Sequence, residues 1–140
     1  MKQIIQPEGV FDPDTVFGAK SYRQAILVGD TLYIAGQAAI DAEGQLVGKG
    51  DVEAQAVKVM ENLMACLDAA GATAGDVVKV TTFYLDRQHR AAIAAVRRRF
   101  LGDADFVHTG LIIDGLADPE LLLEIEAIAV IGAGREGEPI

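Results

Sequence analysis

One hundred and forty residues, 51% of them hydrophobic and 24% charged, fit a single globular domain with a sizeable core and no disordered signature. A formal net charge of −9 argues against nucleic-acid binding, which needs a basic footprint, and no apolar run reaches the ~18 residues of a membrane span. Residues 1–7 lack the apolar core of a secretion signal, and the single cysteine, Cys66, leaves no internal disulfide, so a cytoplasmic protein is expected.

In chain order, Ala25–Val28, Gly29-Asp30 and residues 31–35 read as a β-hairpin, glycine at the first turn position suiting a type II′ turn. Residues 40–50 form a polar connection punctuated by Gly44, Gly48 and Gly50. A helix is predicted from its N-cap Asp51 to Ala70, with Gly71 as the stop. Its stripe of Val52, Ala56, Val59, Met60, Leu63, Leu67 and Ala70 keeps helical spacing, and Cys66 reads as a small buried hydrophobe beside it. Residues 77–85, rich in β-branched and aromatic side chains, form a strand. A second helix over 87–101 buries Ala92, Ile93, Val96 and Phe100.

Residues 106–113 and 121–131 are two further strands, expected to pair antiparallel through the turn at 115–119, and the glycine-rich tail 132–140 is expected to be loose. The order ββαβαββ gives one α+β domain over 1–140, a mixed sheet with both helices on one face. Apolar residues alternate on both sides of 121–131, so the other face needs a cover, and self-association supplies one.

Glu124 and Glu126 interrupt that apolar run and point to one face, beside Leu122 and Ile128. An unpaired carboxylate there costs on the order of several kcal/mol, so each is paired, hydrogen-bonded or protonated. Two readings stay open: acids at a rim or wet interface meeting an arginine, or acids that do chemistry. Through the expected hairpin, His108 reaches the region of Glu126, and a histidine beside a carboxylate in an apolar crevice can move protons near neutral pH. Arg97-Arg98-Arg99 point about 100° apart around their helix and read as a solvated face, the alternative being an interface pairing with acids of a neighbouring subunit. There is no phosphate-cradling or dinucleotide-binding glycine loop, and the one serine, Ser21, lies in no nucleophile elbow. His89 and His108 lie on different predicted elements and Cys66 on a helix, so no metal site is expected.

Six segments carry a resemblance: Tyr22-Arg23-Gln24-Ala25; Leu32-Tyr33-Ile34-Ala35-Gly36-Gln37; Gln55 with Glu61-Asn62-Leu63; Leu67-Asp68-Ala69-Ala70-Gly71-Ala72; residues 76–85; and Glu124-Ile125-Glu126-Ala127-Ile128-Ala129. In this order and spacing the chain resembles the Rid (reactive intermediate deaminase) family, also called YjgF, over residues 18–130. The resemblance implies a chorismate-mutase-like α+β fold, a homotrimer, and small-molecule sites in the clefts between subunits. It also implies hydrolysis of imines and enamines such as 2-aminoacrylate, to ketoacids and ammonia, without a cofactor.

In the archetypal branch an arginine clamps the substrate carboxylate, a glutamate positions water, and a tyrosine and a backbone amide complete the pocket. By resemblance the glutamate is Glu124, the tyrosine Tyr22 and the amide that of Thr109, with Glu126 and Gly36 lining the site. The arginine is replaced by His108, a serine before Gly36 by Ala35, and an asparagine on the second helix by Ala94. Loss of a guanidinium–carboxylate pair in a desolvated pocket is worth on the order of 2–5 kcal/mol, so poor action on 2-aminoacrylate is expected. The expectation is a roomier, more apolar pocket for a larger or uncharged imine, enamine or related carbonyl compound. The alternative is a non-catalytic trimer that binds a metabolite. The endoribonuclease role that some of the family carries is disfavoured by the net charge of −9.

Overall fold

A computed structural model describes residues 1–135. In chain order the elements are β1 (Lys2–Ile5), α1 (Pro13–Phe17), β2 (Ala25–Val28), β3 (Thr31–Gln37), α2 (Val52–Ala69), β4 (Val77–Tyr84), α3 (Arg90–Leu101), β5 (Val107–Ile112) and β6 (Leu123–Val130). Short 3₁₀ turns at Ala74–Asp76 and Arg87–His89 precede β4 and α3. No helix among the described residues is long and apolar enough to cross a membrane.

The strands form one mixed sheet in the order β1-β2-β3-β6-β4-β5. The expected hairpin at 25–35 is present as β2 and β3, and its turn is of the expected kind: Gly29 has φ of 60° while Asp30 keeps a negative φ. The first strand, β1, and the short helix α1 were not foreseen, because residues 2–5 carry little alternation and three of the four are exposed.

The expected β5–β6 hairpin is not formed. β6 inserts between β3 and β4, antiparallel to both, whereas β5 runs parallel to β4 at the sheet edge. The reason lies in burial. Leu123, Ile125, Ala127 and Ala129 are all buried, as suits a strand in the middle of the sheet under the helices, whereas every residue of β5 is exposed, as suits an edge. α3 provides the crossover that a parallel β4–β5 pair requires.

Both longer helices cover one face of the sheet. Asp51 caps α2 by accepting from the Ala54 N–H at 3.0 Å, and Ala56, Val59, Met60, Leu63, Cys66 and Leu67 are buried beneath it. α3 buries Ile93, Val96 and Leu101, with Ala92 and Phe100 half-buried. Gln55, fully buried, ties α2 to the lead-in of β6: its Nε2 donates to the Glu120 carbonyl at 2.9 Å and its Oε1 accepts from the Leu122 N–H at 2.8 Å.

The opposite face carries the row Ile4, Ile26, Tyr33, Ile128, Lys79 and Val107 across the whole sheet. Ile4, Tyr33, Val107 and Leu111 on this face are exposed, Val107 at 65%.

Residues 132–135, expected to be loose, are held in a turn by buried Asp76, and 136–140 lie outside the described residues. Asp76 Oδ1 accepts from the Gly132 and Gly134 N–H groups at 3.1 and 2.8 Å, and Oδ2 accepts from the Thr73 N–H at 2.9 Å. Burial pushes this carboxyl up, but the N–H donors of Gly134, Thr73 and Gly132 outweigh it and hold the pKa below the ordinary value. Its stabilisation is therefore present above the unfolded pKa and lost as pH falls through the folded one. Asp76→Asn is expected to cost about 1–3 kcal/mol in urea unfolding at neutral pH, with the difference from wild type shrinking in acid. Equal stabilities at neutral pH would remove this role.

Candidate active site

Glu124 lies half-buried on the open face of β6, folded directly over Gly36 of β3. A Cβ at position 36 would stand 2.6 Å from Glu124 Cδ and Oε1 and 2.9 Å from Cγ, so only a glycine admits the carboxylate there. Gly36 sits in a register shift between Ile34 and Gln37, where β3 bulges against β6. Buried amides fix that bulge. Gln37 Nε2 donates to Gln24 Oε1 at 2.8 Å and to the Ala35 carbonyl at 3.0 Å, and Gln24 Nε2 donates to the Phe11 carbonyl at 3.0 Å.

Burial, and then the neighbouring charge of Glu126, push the Glu124 carboxyl above the ordinary glutamate value. Tyr22 stands close enough that Glu124, after burial, contributes to raising the phenol pKa. The Tyr22 ring stacks on Phe17 at 6.0 Å, and Phe17 meets Phe11 edge-on at 5.8 Å. Glu126 is exposed and lines a groove of about 300 Å³ with Arg23, Tyr33, Ala35, Lys79 and Thr81. Thr109 shares that face, in one row with Thr81 and Glu126. A half-buried carboxylate with a raised pKa near a phenol can orient water and take up its proton.

His108 is elsewhere. It ends the row Ile5, Ala25, Ile34, Ala127 and Val80, the buried face under the helices, so it points away from Glu124 and Glu126 and is separated from them by β4. The expected approach of His108 to Glu126 is therefore corrected: it rested on a β5–β6 hairpin that the chain does not make. His108 Nε2 lies 3.0 Å from Thr82 Oγ1, which also accepts from Arg97 Nη1 at 3.0 Å. Partial burial, then Arg97, Lys79 and Arg90, lower the imidazole pKa and keep the ring neutral at pH 7.

This second site is a groove of about 630 Å³ between α3 and the edge of β5, lined among others by Arg87, Arg90, Ala94, Arg97, His108 and Gly110. Within one chain Ala35 and Ala94 line different grooves. Ala35 lines the groove on the open face, while Ala94 stands among arginines on the helix face. Among the described residues, no group of three or more His, Cys, Asp or Glu side chains is placed to hold a metal ion.

A family model described as Endoribonuclease L-PSP matches residues 14–131, most of the chain. This chain belongs to that family, the Rid or YjgF family. A RutC family protein of Pyrococcus horikoshii is 36% identical over 92% of this chain and 98% of its own length. A Salmonella typhimurium protein named 2-iminobutanoate/2-iminopropanoate deaminase is 33% identical over 78% of this chain and 86% of its own. Among solved structures, RidA from the Antarctic bacterium Psychrobacter sp. PAMC 21119 superposes with a TM-score of 0.80 at 31% identity, covering 92% of this chain and all but 1% of that one at 99%.

Of the residues expected from the Rid resemblance, Tyr22, Ala35, Gly36, Glu124, Glu126 and Thr109 gather on the open side of the sheet. His108 and Ala94 gather on the helix side. Sequence reasoning missed Thr82, Arg90 and Arg97. Of the three arginines read as a solvated face, only two behave so: Arg98 donates to the Gly102 and Ala104 carbonyls, and exposed Arg99 faces Glu53 at 3.7 Å. Arg97 is half-buried. The signal was present, since 97 falls four residues from both Ile93 and Leu101 on the buried stripe.

Proposed function

We propose that this chain hydrolyses the C=N bond of a small imine, or of the enamine in equilibrium with it, releasing ammonia and the corresponding carbonyl compound. Water adds to the imine carbon, its proton is taken up by Glu124, and the amine leaves as ammonia when the carbonyl forms: R₂C=NH + H₂O → R₂C=O + NH₃. The observation that carries this reading is Glu124 itself, a half-buried carboxylate with a raised pKa, held over Gly36 and beside Tyr22. Family membership and the relative named as an iminobutanoate/iminopropanoate deaminase support it. A −9 chain is a poor match for an RNA backbone, which disfavours the ribonuclease reading.

The two half-sites lie on opposite faces of one sheet, so a single chain cannot bring them onto one substrate. We propose that neighbouring copies do so, the helix-side groove of one meeting the Glu124 side of the next, in the homotrimer that the resemblance implies. The exposed row around Tyr33 and Val107 supports such an assembly. The test is ammonia and pyruvate release from freshly generated 2-iminopropanoate, on protein whose mass is measured by sedimentation. Turnover by an assembled species is expected. Ligand binding without ammonia release would leave a metabolite-binding protein instead, and full activity in a monomer would discard the shared site.

A further inference from the structure

We infer that Arg97, assisted by Arg90, is the anchor for the substrate's carboxylate, entering the groove from α3 and taking over the clamp that His108 on β5 does not provide. The inference rests on the imine-hydrolase reading and adds the residues on α3 that would hold a carboxylate next to the C=N carbon.

Arg87, Arg90 and Arg97 all line the same groove, and no carboxylate of the described residues lies within 4.0 Å of any of them; the ion pairs found there are Arg23–Asp14 and Arg99–Glu53. This is unusual in a chain with 21 acidic residues and 12 basic ones. Arg97 is the committed member. It emerges from the buried stripe of α3, its guanidinium is half-buried, and Thr82 Oγ1 accepts one of its five donors at 3.0 Å. Within one chain its remaining donors meet no carboxylate of the described residues. A partly desolvated cation without a counter-charge is a standing cost that a bound anion relieves.

Ala94, one turn before Arg97, leaves room beside the guanidinium, and Gly110 lies under the His108 ring, where a Cβ would come within 3.2 Å of Cε1. The local field agrees: burial, then Arg98 and Arg90, lower the Arg97 pKa, and His108 is held neutral by partial burial and by Arg97, Lys79 and Arg90. Three guanidinium groups converging on one groove suit one small anion, bidentate on Arg97, rather than a polyanionic strand.

His108 supplies a local reporter, since the chain has only two histidines. The test follows the His108 ring resonances by NMR while pyruvate, its amide pyruvamide, or inorganic phosphate is titrated into the assembled protein. Pyruvate is expected to saturate and to raise the His108 pKa, because its charge offsets Arg97 and Arg90, which line the groove with the ring from α3 beside Arg87 of the preceding 3₁₀ turn, and counters Lys79, which acts on the ring from the other face of β4. Pyruvamide should bind at least tenfold more weakly. Arg97→Gln should weaken pyruvate at least tenfold and leave pyruvamide unchanged, Arg97→Lys should restore part of the loss, and Arg99→Gln should change nothing. Pyruvate that does not bind wild type, or binds Arg97→Gln equally well, overturns the assignment. Phosphate binding tighter than pyruvate overturns the carboxylate class.

The two readings fail separately. Pyruvate held through Arg97 without any ammonia release from 2-iminopropanoate sinks the hydrolase and keeps the clamp. Turnover whose KM ignores Arg97→Gln keeps the hydrolase and sinks the clamp.

Discussion

Replacing Glu124 with glutamine is expected to lower kcat for ammonia release by at least about 10²-fold while making the folded protein more stable at neutral pH. The loss follows from removing the carboxylate seated over Gly36, which can take a proton from water, in a shape that glutamine otherwise preserves. The gain follows from linkage. Burial and then Glu126 raise the Glu124 pKa above its unfolded value, so this group favours the folded state at low pH. That contribution is lost as pH rises through the folded pKa, so at neutral pH the ionised side chain works against folding and an uncharged isostere relieves it. Thermal melts of wild type and Glu124→Gln should separate at neutral pH and converge in acid.

The same electrostatics place the acid limb of the kcat profile at the raised Glu124 pKa, with activity increasing as the carboxylate ionises. Glu126→Gln removes the second cause of the shift and should move that limb to lower pH. Undiminished turnover in Glu124→Gln would end the role assigned to this residue; an unmoved limb in Glu126→Gln would end the coupling.

Elements whose reason is local were legible in the sequence. The Gly29-Asp30 turn, the Asp51 cap with its apolar stripe, and the β-branched run of β4 each state their conformation within a few residues, and all three formed as read. The two carboxylates of β6 were legible as a feature too, because they break a strong apolar pattern, and the chain half-buries one of them, Glu124. Strand order was not. Sequence neighbours usually pair, and residues 106–131 offered a plausible hairpin, but β6, with one face buried along its whole length, lies in the centre of the sheet while α3 carries β5 to the far edge of β4. That one difference put His108 on the wrong side of the sheet. It also hid Arg97, whose partners Thr82 and His108 meet it only through the parallel β4–β5 pairing.

The second large effect is expected from a single methyl group. Gly36 is not among the glycines with positive φ, so its backbone would accept alanine without strain, and what demands glycine is space alone. The added Cβ would meet Glu124 Cδ and Oε1 at 2.6 Å and Cγ at 2.9 Å, contacts that atoms do not sustain. The strand is pinned by the Gln37–Gln24 amide pair and the carboxylate is a flexible chain end, so it is Glu124 that yields. Displacement of a reacting group by about 1 Å can cost on the order of 10²-fold, and Gly36→Ala should lose kcat on that scale with a melting temperature close to wild type. A carboxylate pushed toward solvent also loses part of its desolvation, so the acid limb should move to lower pH. The decisive comparison is the double variant. If Gly36 acts only by seating Glu124, then Gly36→Ala added to Glu124→Gln causes no further loss, because the group to be displaced no longer reacts. Full additivity of the two effects would mean that Gly36 serves the site in some other way, and undiminished turnover in Gly36→Ala would mean that the seat over Gly36 is not where Glu124 works.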